Sequence, residues 1–285
     1  MFRVGPSSSG FSLIELMVVL VIFLIVTGAV FGLLNVAQVR YRSEQQFLDS
    51  LQGARTGLEQ ITRDVHRAGY PPLNAYDTVP QIPPSLWTVA GGAPSTSVAV
   101  PFVGMQAGAI DQTCIVDTAN PALSTCVIPG PFELIIEADL DPENAAAPAQ
   151  VEWVYYRVDL PGNALVSPPA GGGADPVTRT LYRSVTTKTC AGPPWVPLTC
   201  VGGNPVAAGV PFVDNVLNDP ALYGGDPTEA VFSYRCAGGV TTCTPENIDE
   251  VYIVLRARAY SRDLQTRQIR ALTLQSVAQP LNPPQ

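Results

Sequence analysis

Apolar residues fill one long stretch close to the start of the chain. Residues 16–39 include no charged side chain, and residues 11–34 would form a helix about 36 Å long. That length is enough to cross a hydrocarbon layer of about 30 Å with some tilt. The stretch is too long for the apolar core of a cleaved secretory signal, and no small-x-small cleavage site follows it. The pattern therefore predicts a membrane-spanning helix over residues 11–39, although a plain signal anchor would look the same.

The apolar pattern then narrows to a single stripe. Its members recur every three or four residues, which is the spacing of one helix face: Phe47, Leu48, Leu51, Ala54, Leu58, Ile61 and Val65. No helix breaker lies between Leu34 and Gln46, so we expect one continuous helix over residues 11–68. Gly69, with two prolines shortly after it, marks the end of that helix. Its second half, residues 40–69, is predicted to be amphipathic.

Alternation with a period of two predicts strands beyond a proline- and glycine-rich loop at residues 71–97. The predicted strands are residues 132–139, 151–158, 180–185, 230–235, 250–258 and 268–275. In the first strand, residues that face the core should alternate with residues that face water. The core-facing residues are Phe132, Leu134, Ile136 and Ala138, and the water-facing residues are Glu133, Glu137 and Asp139. The second strand is apolar on both faces, as a central strand would be. A helix followed by antiparallel strands predicts an α+β fold with one head domain, residues 70–285.

Composition and charge argue against several classes of protein. The 16 basic and 24 acidic residues give a net charge of -8, so electrostatics do not favour a nucleic-acid partner. The only histidine is His66 and the only lysine is Lys188, which excludes a His-rich metal site, HExxH and a Walker A loop. GxSxG and GxGxxG are also absent. We therefore expect a protein that is not an enzyme and has no cofactor.

Six cysteines fall as three neighbouring couples that enclose turn-forming residues. Six cysteines allow about 15 connectivities, and the simplest is local: Cys114–Cys126, Cys190–Cys200 and Cys236–Cys243. A metal knuckle is the competing interpretation, but no couple has CxxC spacing. Three disulfides would brace the loops of the head and would indicate an oxidising compartment outside the cytoplasm.

Two groups of residues resemble ligand sites. Oxygen ligands are spaced as in calcium loops near the end of the first strand, at Asp139, Asp141, Glu143 and Asn144. The glycine and closing glutamate of an EF-hand are missing, so we expect a solvated acidic turn. The aromatic residues Trp153, Tyr155 and Tyr156 are expected to lie in the sheet core rather than form a ligand platform.

Histidine and arginine offer two further candidates. His66 lies late in the helix and is expected to be a partly exposed surface residue. One basic cluster contains Arg256, Arg258, Arg262, Arg267 and Arg270. A solvated surface with ion pairs is the main expectation for this cluster. A docking face for an acidic neighbour, or a weak DNA contact, is the alternative.

Glu15 is unusual because it lies near the start of the apolar stretch. A carboxylate costs about 2.5–3.5 kcal/mol at the centre of a bilayer and less near an interface. One interpretation is interfacial snorkelling. The other is that Glu15 meets a positive partner inside an assembly.

The segment Gly10-Phe11-Ser12-Leu13-Ile14-Glu15-Leu16, followed by an uninterrupted apolar helix, resembles the prepilin cleavage and methylation motif. Type IV pilins and type II secretion pseudopilins share this motif. The resemblance implies that a prepilin peptidase cuts between Gly10 and Phe11, which removes a leader of residues 1–10, and that Phe11 is N-methylated. It also implies that Glu15 pairs with the methylated amine of a neighbouring subunit. Many pilins carry a proline about twenty residues into this helix, where Gly28 and Gly32 stand here.

A looser resemblance concerns the subtype. Residues 58–70 and the tyrosine-rich strand before Leu181-Tyr182-Arg183 are similar to PilW-type minor pilins and to J-type pseudopilins of type II secretion. The length of the chain is also more like a minor subunit than a major pilin. The resemblance implies a pilin-like fold in which the long helix packs on an antiparallel sheet.

Taken together, the resemblance implies a structural minor pilin at or near the tip of a type IV pilus. A minor pseudopilin is the close alternative, and a membrane-anchored adhesin or ligand-binding module is an alternative of another class. The implied partners are other pilin or pseudopilin subunits, prepilin peptidase, an inner-membrane assembly platform and membrane lipid. The precursor is expected in the bacterial inner membrane with its head in the periplasm, and the mature chain in a filament at the cell surface.

Overall fold

One long helix and an antiparallel sheet make up most of the described part of the chain. The computed structural model describes residues 12–69, 101–106, 109–138, 140, 152–159, 178–187, 209–220, 222–223, 227–259 and 269–280. The helix, α1, runs over Leu13–Arg67. This arrangement is the pilin-like α+β fold that the sequence predicts.

Helix α1 is continuous because neither proline nor another strong breaker interrupts it, and it passes through Gly28 and Gly32 without a break. It ends as predicted. Ala68 donates its N–H to the carbonyl oxygen of Val65 at 3.1 Å, and Gly69 adopts a φ of 76°. That left-handed conformation is easy for glycine and costly for other residues. The N–H of Gly69 then donates to the carbonyl oxygen of Glu137 at 2.8 Å, which ties the helix end to the sheet.

Eleven strands lie within the described residues. In chain order they are β1 (Met105–Gln106), β2 (Ala109–Ile110), β3 (Val116–Asp117), β4 (Glu133–Ala138), β5 (Glu152–Val158), β6 (Arg179–Thr187), β7 (Val210–Val216), β8 (Phe232–Cys236), β9 (Thr242–Cys243), β10 (Ile248–Arg258) and β11 (Ala271–Ala278). The main sheet has the order β11-β10-β7-β6-β5-β4, with β8 paired to β10. Every pairing in it is antiparallel. Two small sheets, β1–β2 and β3–β9, lie outside it.

All six predicted strands form, and β5 is central between β4 and β6, as expected. The seventh strand of the main sheet, β7, was not predicted. It contains Pro211, which cannot donate to a ladder, and Asn215 with a φ of 59°. Its register with β6 also shifts. These irregularities hide the period of two on which the sequence prediction depends.

The main core lies between the amphipathic half of α1 and one face of the sheet. Four apolar residues of the predicted stripe are buried in it: Ala54, Leu58, Ile61 and Val65. They face strands β4, β7, β10 and β11. The earlier part of the stripe is more open, since 49% of Leu48 is exposed. The helix therefore packs on the head mainly through its last four turns.

The predicted alternation of β4 was wrong for one residue. Glu137 is only 3% exposed, and the indole N–H of Trp153 donates to its Oε1 at 2.7 Å. The reason is a second, smaller core on the sheet face away from α1, which includes Val103 and Ile135. The segment around Val103 pairs along the free edge of β4, with Phe102 bridged to Ile136 and the N–H of Val103 bonded to the carbonyl oxygen of Ile135 at 3.1 Å. Asp139 lies outside the described residues.

Candidate functional site

The first half of α1 is an apolar surface that no described part of the head covers. At residues 13–36 each large apolar side chain is between 49% and 77% exposed. In length and composition α1 is able to cross a membrane. Exposed apolar surface on this scale marks contact with lipid or with another protein. We call residues 13–39 the shaft segment.

Glu15 lies in the first turn of α1, at the start of the shaft segment. A negative charge there interacts favourably with the positive end of the helix dipole. Gly28 and Gly32 lie further along the same segment, and a Cβ added at either would meet no atom within 4 Å. The cleavage-site residues Gly10 and Phe11 lie outside the described residues, so their role stays a prediction.

A buried ion pair attaches the end of α1 to the sheet. Asp64 is fully buried, and its Oδ2 accepts from the Nη2 of Arg183 at 2.8 Å and from the hydroxyl of Tyr156 at 2.5 Å. Its Oδ1 accepts from the Nε2 of Gln60 at 2.8 Å. We call Asp64, Tyr156 and Arg183 the Asp64 triad. It joins the helix to β5 and β6, two strands in the middle of the chain.

Burial and charge set the protonation states of the triad. Burial first, and the neighbouring Asp64 charge second, raise the pKa of the Tyr156 phenol well above its usual value. Burial lowers the pKa of Arg183, but the electrostatic and hydrogen-bonding effects of Tyr156 and Asp64 outweigh it, so the pKa is raised overall. At neutral pH the phenol is therefore neutral and the guanidinium charged, which are the states in which both groups donate to Asp64.

The triad was not predicted from the sequence. Tyr156 was expected to be a core residue, which its burial confirms, but its polar contact with Asp64 was not expected. A signal was present in the sequence: Asp64 lies three residues after Ile61 and one before Val65, on the edge of the apolar stripe. The looser resemblance depends on residues 58–70 and on the tyrosine-rich strand before Leu181-Tyr182-Arg183, and the triad joins these segments.

Further contacts hold α1 alongside β11. Arg270, just before β11, donates from Nη1 to Oε1 of Glu44 at 3.0 Å and lies over the ring of Phe47. Nδ1 of His66 lies 2.7 Å from the carbonyl oxygen of Gln279, just after β11. His66 is half-buried, in line with its expected surface position. The helix and β11 thus run in the same direction.

Two disulfides brace the end of the head at which α1 terminates. Cys114 is bonded to Cys126 and Cys236 to Cys243, and the described residues include no free cysteine. Strands β3 and β9 pair the two loops with each other. These are two of the three bonds that the sequence predicts. Cys190 and Cys200 lie outside the described residues.

The other candidate sites do not form a ligand site in the described part of the chain. Arg256 is paired with Glu229, Arg258 is only 6% exposed and Arg270 is paired with Glu44. The ion pairs of Arg256 and Arg270 agree with the main expectation for the basic cluster, whereas Arg258 is buried rather than solvated. Arg262 and Arg267 lie outside the described residues. So do the residues of the predicted acidic turn: Asp139, Asp141, Glu143 and Asn144. Among the described residues no group of His, Cys, Asp or Glu is arranged to hold a metal ion.

Comparison with known proteins gives one result, and it concerns the N-terminus. Residues 6–31 match the model of the prokaryotic N-terminal methylation motif. No curated protein and no solved structure matches the chain. The match covers Gly10, Phe11 and Glu15 and supports a type IV pilin-like family, which is structural rather than catalytic. It supports membrane anchoring and implies interaction with other pilin subunits and with a prepilin peptidase.

Proposed function

From the type IV pilin-like motif at the N-terminus, we propose that the chain is a structural minor pilin incorporated at or near the tip of a type IV pilus, where it aids pilus assembly. The observation that carries this proposal is the shaft segment, which is apolar on every side, uncovered by the described head and preceded by the methylation motif. The compact, disulfide-braced head supports a location outside the cytoplasm.

The mechanism is lateral packing of shaft segments into a helical bundle. Once Gly10–Phe11 is cleaved, the new amino terminus carries a positive charge on methylated Phe11. Glu15 of one subunit pairs with that amine on its neighbour. Two charges that are each costly in lipid are tolerated when they neutralise one another. The pairing sets the position at which a new subunit joins the bundle.

A minor pseudopilin of a type II secretion system is the second candidate, because it would carry the same motif and the same fold. The two differ in the machinery around them, so neighbouring genes for a pilus or for a secretion system would separate them. A membrane-anchored adhesin is the candidate of another class. Deletion of the gene would then abolish ligand binding and leave pilus number unchanged.

Substitution of Glu15 tests the mechanism. We expect Glu15→Val to leave the protein in the membrane but to reduce its incorporation into sheared pili. The reduction should be about tenfold if the pair contributes about 1.4 kcal/mol. Glu59→Val is the matched control, because Glu59 is an exposed carboxylate on the head half of the same helix. Equal incorporation of the Glu15 variant and wild type, measured by immunoblot of pili and membranes, would contradict the mechanism.

Processing gives a second test. We expect mass spectrometry of the native protein to find an N-terminus at methylated Phe11. Deletion of the prepilin peptidase gene should restore the leader of residues 1–10. A mature protein that keeps its leader in wild-type cells, or one cut elsewhere, would refute the pilin assignment.

A further inference from the structure

The junction between the shaft segment and the head carries an unusual group of side chains. Arg40, Tyr41 and Arg42 directly follow the last apolar residue of the shaft segment, Val39, and all three are exposed. In a chain with a net charge of -8, two arginines at this point are a local excess of positive charge. They also lie on the side of the membrane where the head is expected, opposite to the usual bias of positive residues toward the cytoplasm.

The head adds a third arginine to the same place. Arg270, just before β11, contacts Glu44 at 3.0 Å and so lies one helical turn beyond Arg40. Glu44 is about 7.5 Å along the helix from Val39. That distance is within one Debye length at physiological ionic strength, about 8 Å. Arg40 and Glu44 are four residues apart and lie on one face of α1, so Arg40 and Arg270 share one electrostatic environment next to the end of the apolar surface. Arg42 lies in the same turn of the helix, on the opposite face.

We propose that Arg40, Tyr41, Arg42 and Arg270 form an interfacial collar that binds the phosphate groups of anionic phospholipids while the chain is anchored in the membrane. The length of the apolar run supports this partner. Residues 16–39 span about 36 Å as a helix, slightly more than the hydrocarbon layer, so Arg40 emerges at the level of the headgroups. Arginine at that level extends its guanidinium to the interface while its methylene groups stay against apolar surface.

Tyr41 is an independent indication of the same partner. Its side chain is 65% exposed, and Nε2 of Gln45 donates to its hydroxyl at 3.0 Å. A tyrosine gains little from such exposure in water, but tyrosine is enriched where an apolar ring and a polar hydroxyl can lie at a membrane interface. An acidic surface on a neighbouring subunit would account for the arginines but not for the position of this ring at the end of the apolar run.

The collar would place the head directly on the bilayer. Arg270 belongs to the head and Arg40 to the helix, so lipid phosphates that contact both would hold the base of the head at the membrane surface. This inference needs only membrane anchoring, and it does not require the chain to be a pilin. If the chain does enter a filament, the collar contacts with lipid must be broken as the shaft segment leaves the membrane.

The test measures lipid binding to the full chain in a mild detergent by native mass spectrometry. Short-chain phosphatidylglycerol is the anionic probe and short-chain phosphatidylcholine the neutral one. We expect wild type to prefer phosphatidylglycerol and R40Q/R42Q/R270Q to lose that preference. The loss should be about fivefold per charge, on the order of a hundredfold for all three. The preference should also fall as the salt concentration rises.

A matched variant removes the same charge elsewhere on the helix. Arg55, Arg63 and Arg67 are exposed, and the nearest of them lies about 24 Å from Val39. R55Q/R63Q/R67Q should keep the wild-type preference for phosphatidylglycerol. Equal loss in both variants, or no preference in wild type, would overturn the proposal. If wild type shows no preference and the collar variant instead loses cross-links to a neighbouring subunit, the collar is a protein contact. Pilus incorporation is not used as a readout, so failure of the pilin proposal would not affect the result.

Discussion

At the scale of single residues, Asp64 is a buried carboxylate that holds the helix on the sheet. It lies within a hydrophobic core at the end of a helix, where an isolated carboxylate would be costly. Donors from two strands satisfy it, Tyr156 on β5 and Arg183 on β6. Loss of one partner from a buried pair commonly costs about 3–5 kcal/mol, because the other charge is left uncompensated. The lower end applies here, since 22% of the Arg183 side chain is exposed.

The buried tyrosines make the free energy of unfolding depend on pH in the alkaline range. Burial raises the pKa of both Tyr156 and Tyr234 well above the usual value, with the charge of Asp64 adding to the effect at Tyr156 and that of Glu133 at Tyr234. In the unfolded chain each phenol has the usual tyrosine pKa of about 10. Their contribution is therefore complete below about pH 10 and is lost as the pH rises toward the folded pKa, because only the unfolded chain releases the protons.

We expect the free energy of unfolding, measured by urea titration in detergent, to fall as the pH rises above about 10. Tyrosinate absorbance should appear together with unfolding rather than before it. Tyr156→Phe removes one of the phenols whose pKa is raised, so the decrease should be shallower in that variant even though its stability at neutral pH is lower. A decrease of the same slope in both proteins would show that Tyr156 ionises as freely in the folded chain as in the unfolded one.

At the scale of elements, the packing of α1 depends on one close approach. Gly57 lies against β7, and a Cβ added there would overlap Cγ2 of Val213. Valine is branched at Cβ and cannot turn away easily. The helix therefore approaches this strand more closely than an alanine would allow.

Two glycine variants test this close contact between α1 and β7. Gly57→Ala should lower the free energy of unfolding by about 1–3 kcal/mol, the usual cost of overpacking. Gly53→Ala is the control, because a Cβ at Gly53 meets no atom within 4 Å. That change should be neutral or should stabilise the helix by about 0.5–1 kcal/mol. Denaturant unfolding of both variants measures the difference, and equal effects would show that α1 does not pack closely on β7.

At the scale of the whole molecule, the head has two cores and a braced end. One core lies under α1, and the other, which includes Val103, Ile135 and Trp153, lies on the opposite face of the same sheet. At the end of the head where α1 terminates, the β3–β9 pair joins the two disulfide loops into one unit. Each disulfide is local in sequence. The short β3–β9 sheet nevertheless connects the two disulfide loops, which are more than one hundred residues apart.

Removal of each disulfide tests this end of the head. On the chain-entropy model, C114S/C126S and C236S/C243S should each lower the free energy of unfolding by about 2.5–3 kcal/mol. Because the loops are paired, loss of both bonds should differ from the sum of the single effects by about 0.5 kcal/mol or more. Urea titration of the three variants measures this coupling, and strict additivity would show that the β3–β9 pairing does not connect the loops energetically.

Most of the elements were predictable because their signals are local. A run without charges, a stripe with helical spacing and a terminal glycine were enough for α1, and regular alternation was enough for six strands. Strand β7 was not predicted, since Pro211 and the left-handed Asn215 interrupt its alternation. The water-facing position expected for Glu137 was wrong, because a second core forms on that face of β4 and Trp153 donates to the Glu137 carboxylate.

The sequence by itself determined the α+β fold, the extent of α1, the apolar shaft segment with Glu15 at its start and the local pairing of two disulfides. These features depend on neighbours within a few turns or on composition, which a linear chain displays directly. Only the tertiary structure decided that Asp64 meets Tyr156 and Arg183, that Gly57 must lack a side chain and that Arg270 contacts Glu44. Each of those contacts involves partners from distant parts of the chain, and no local pattern specifies which distant residue will lie opposite.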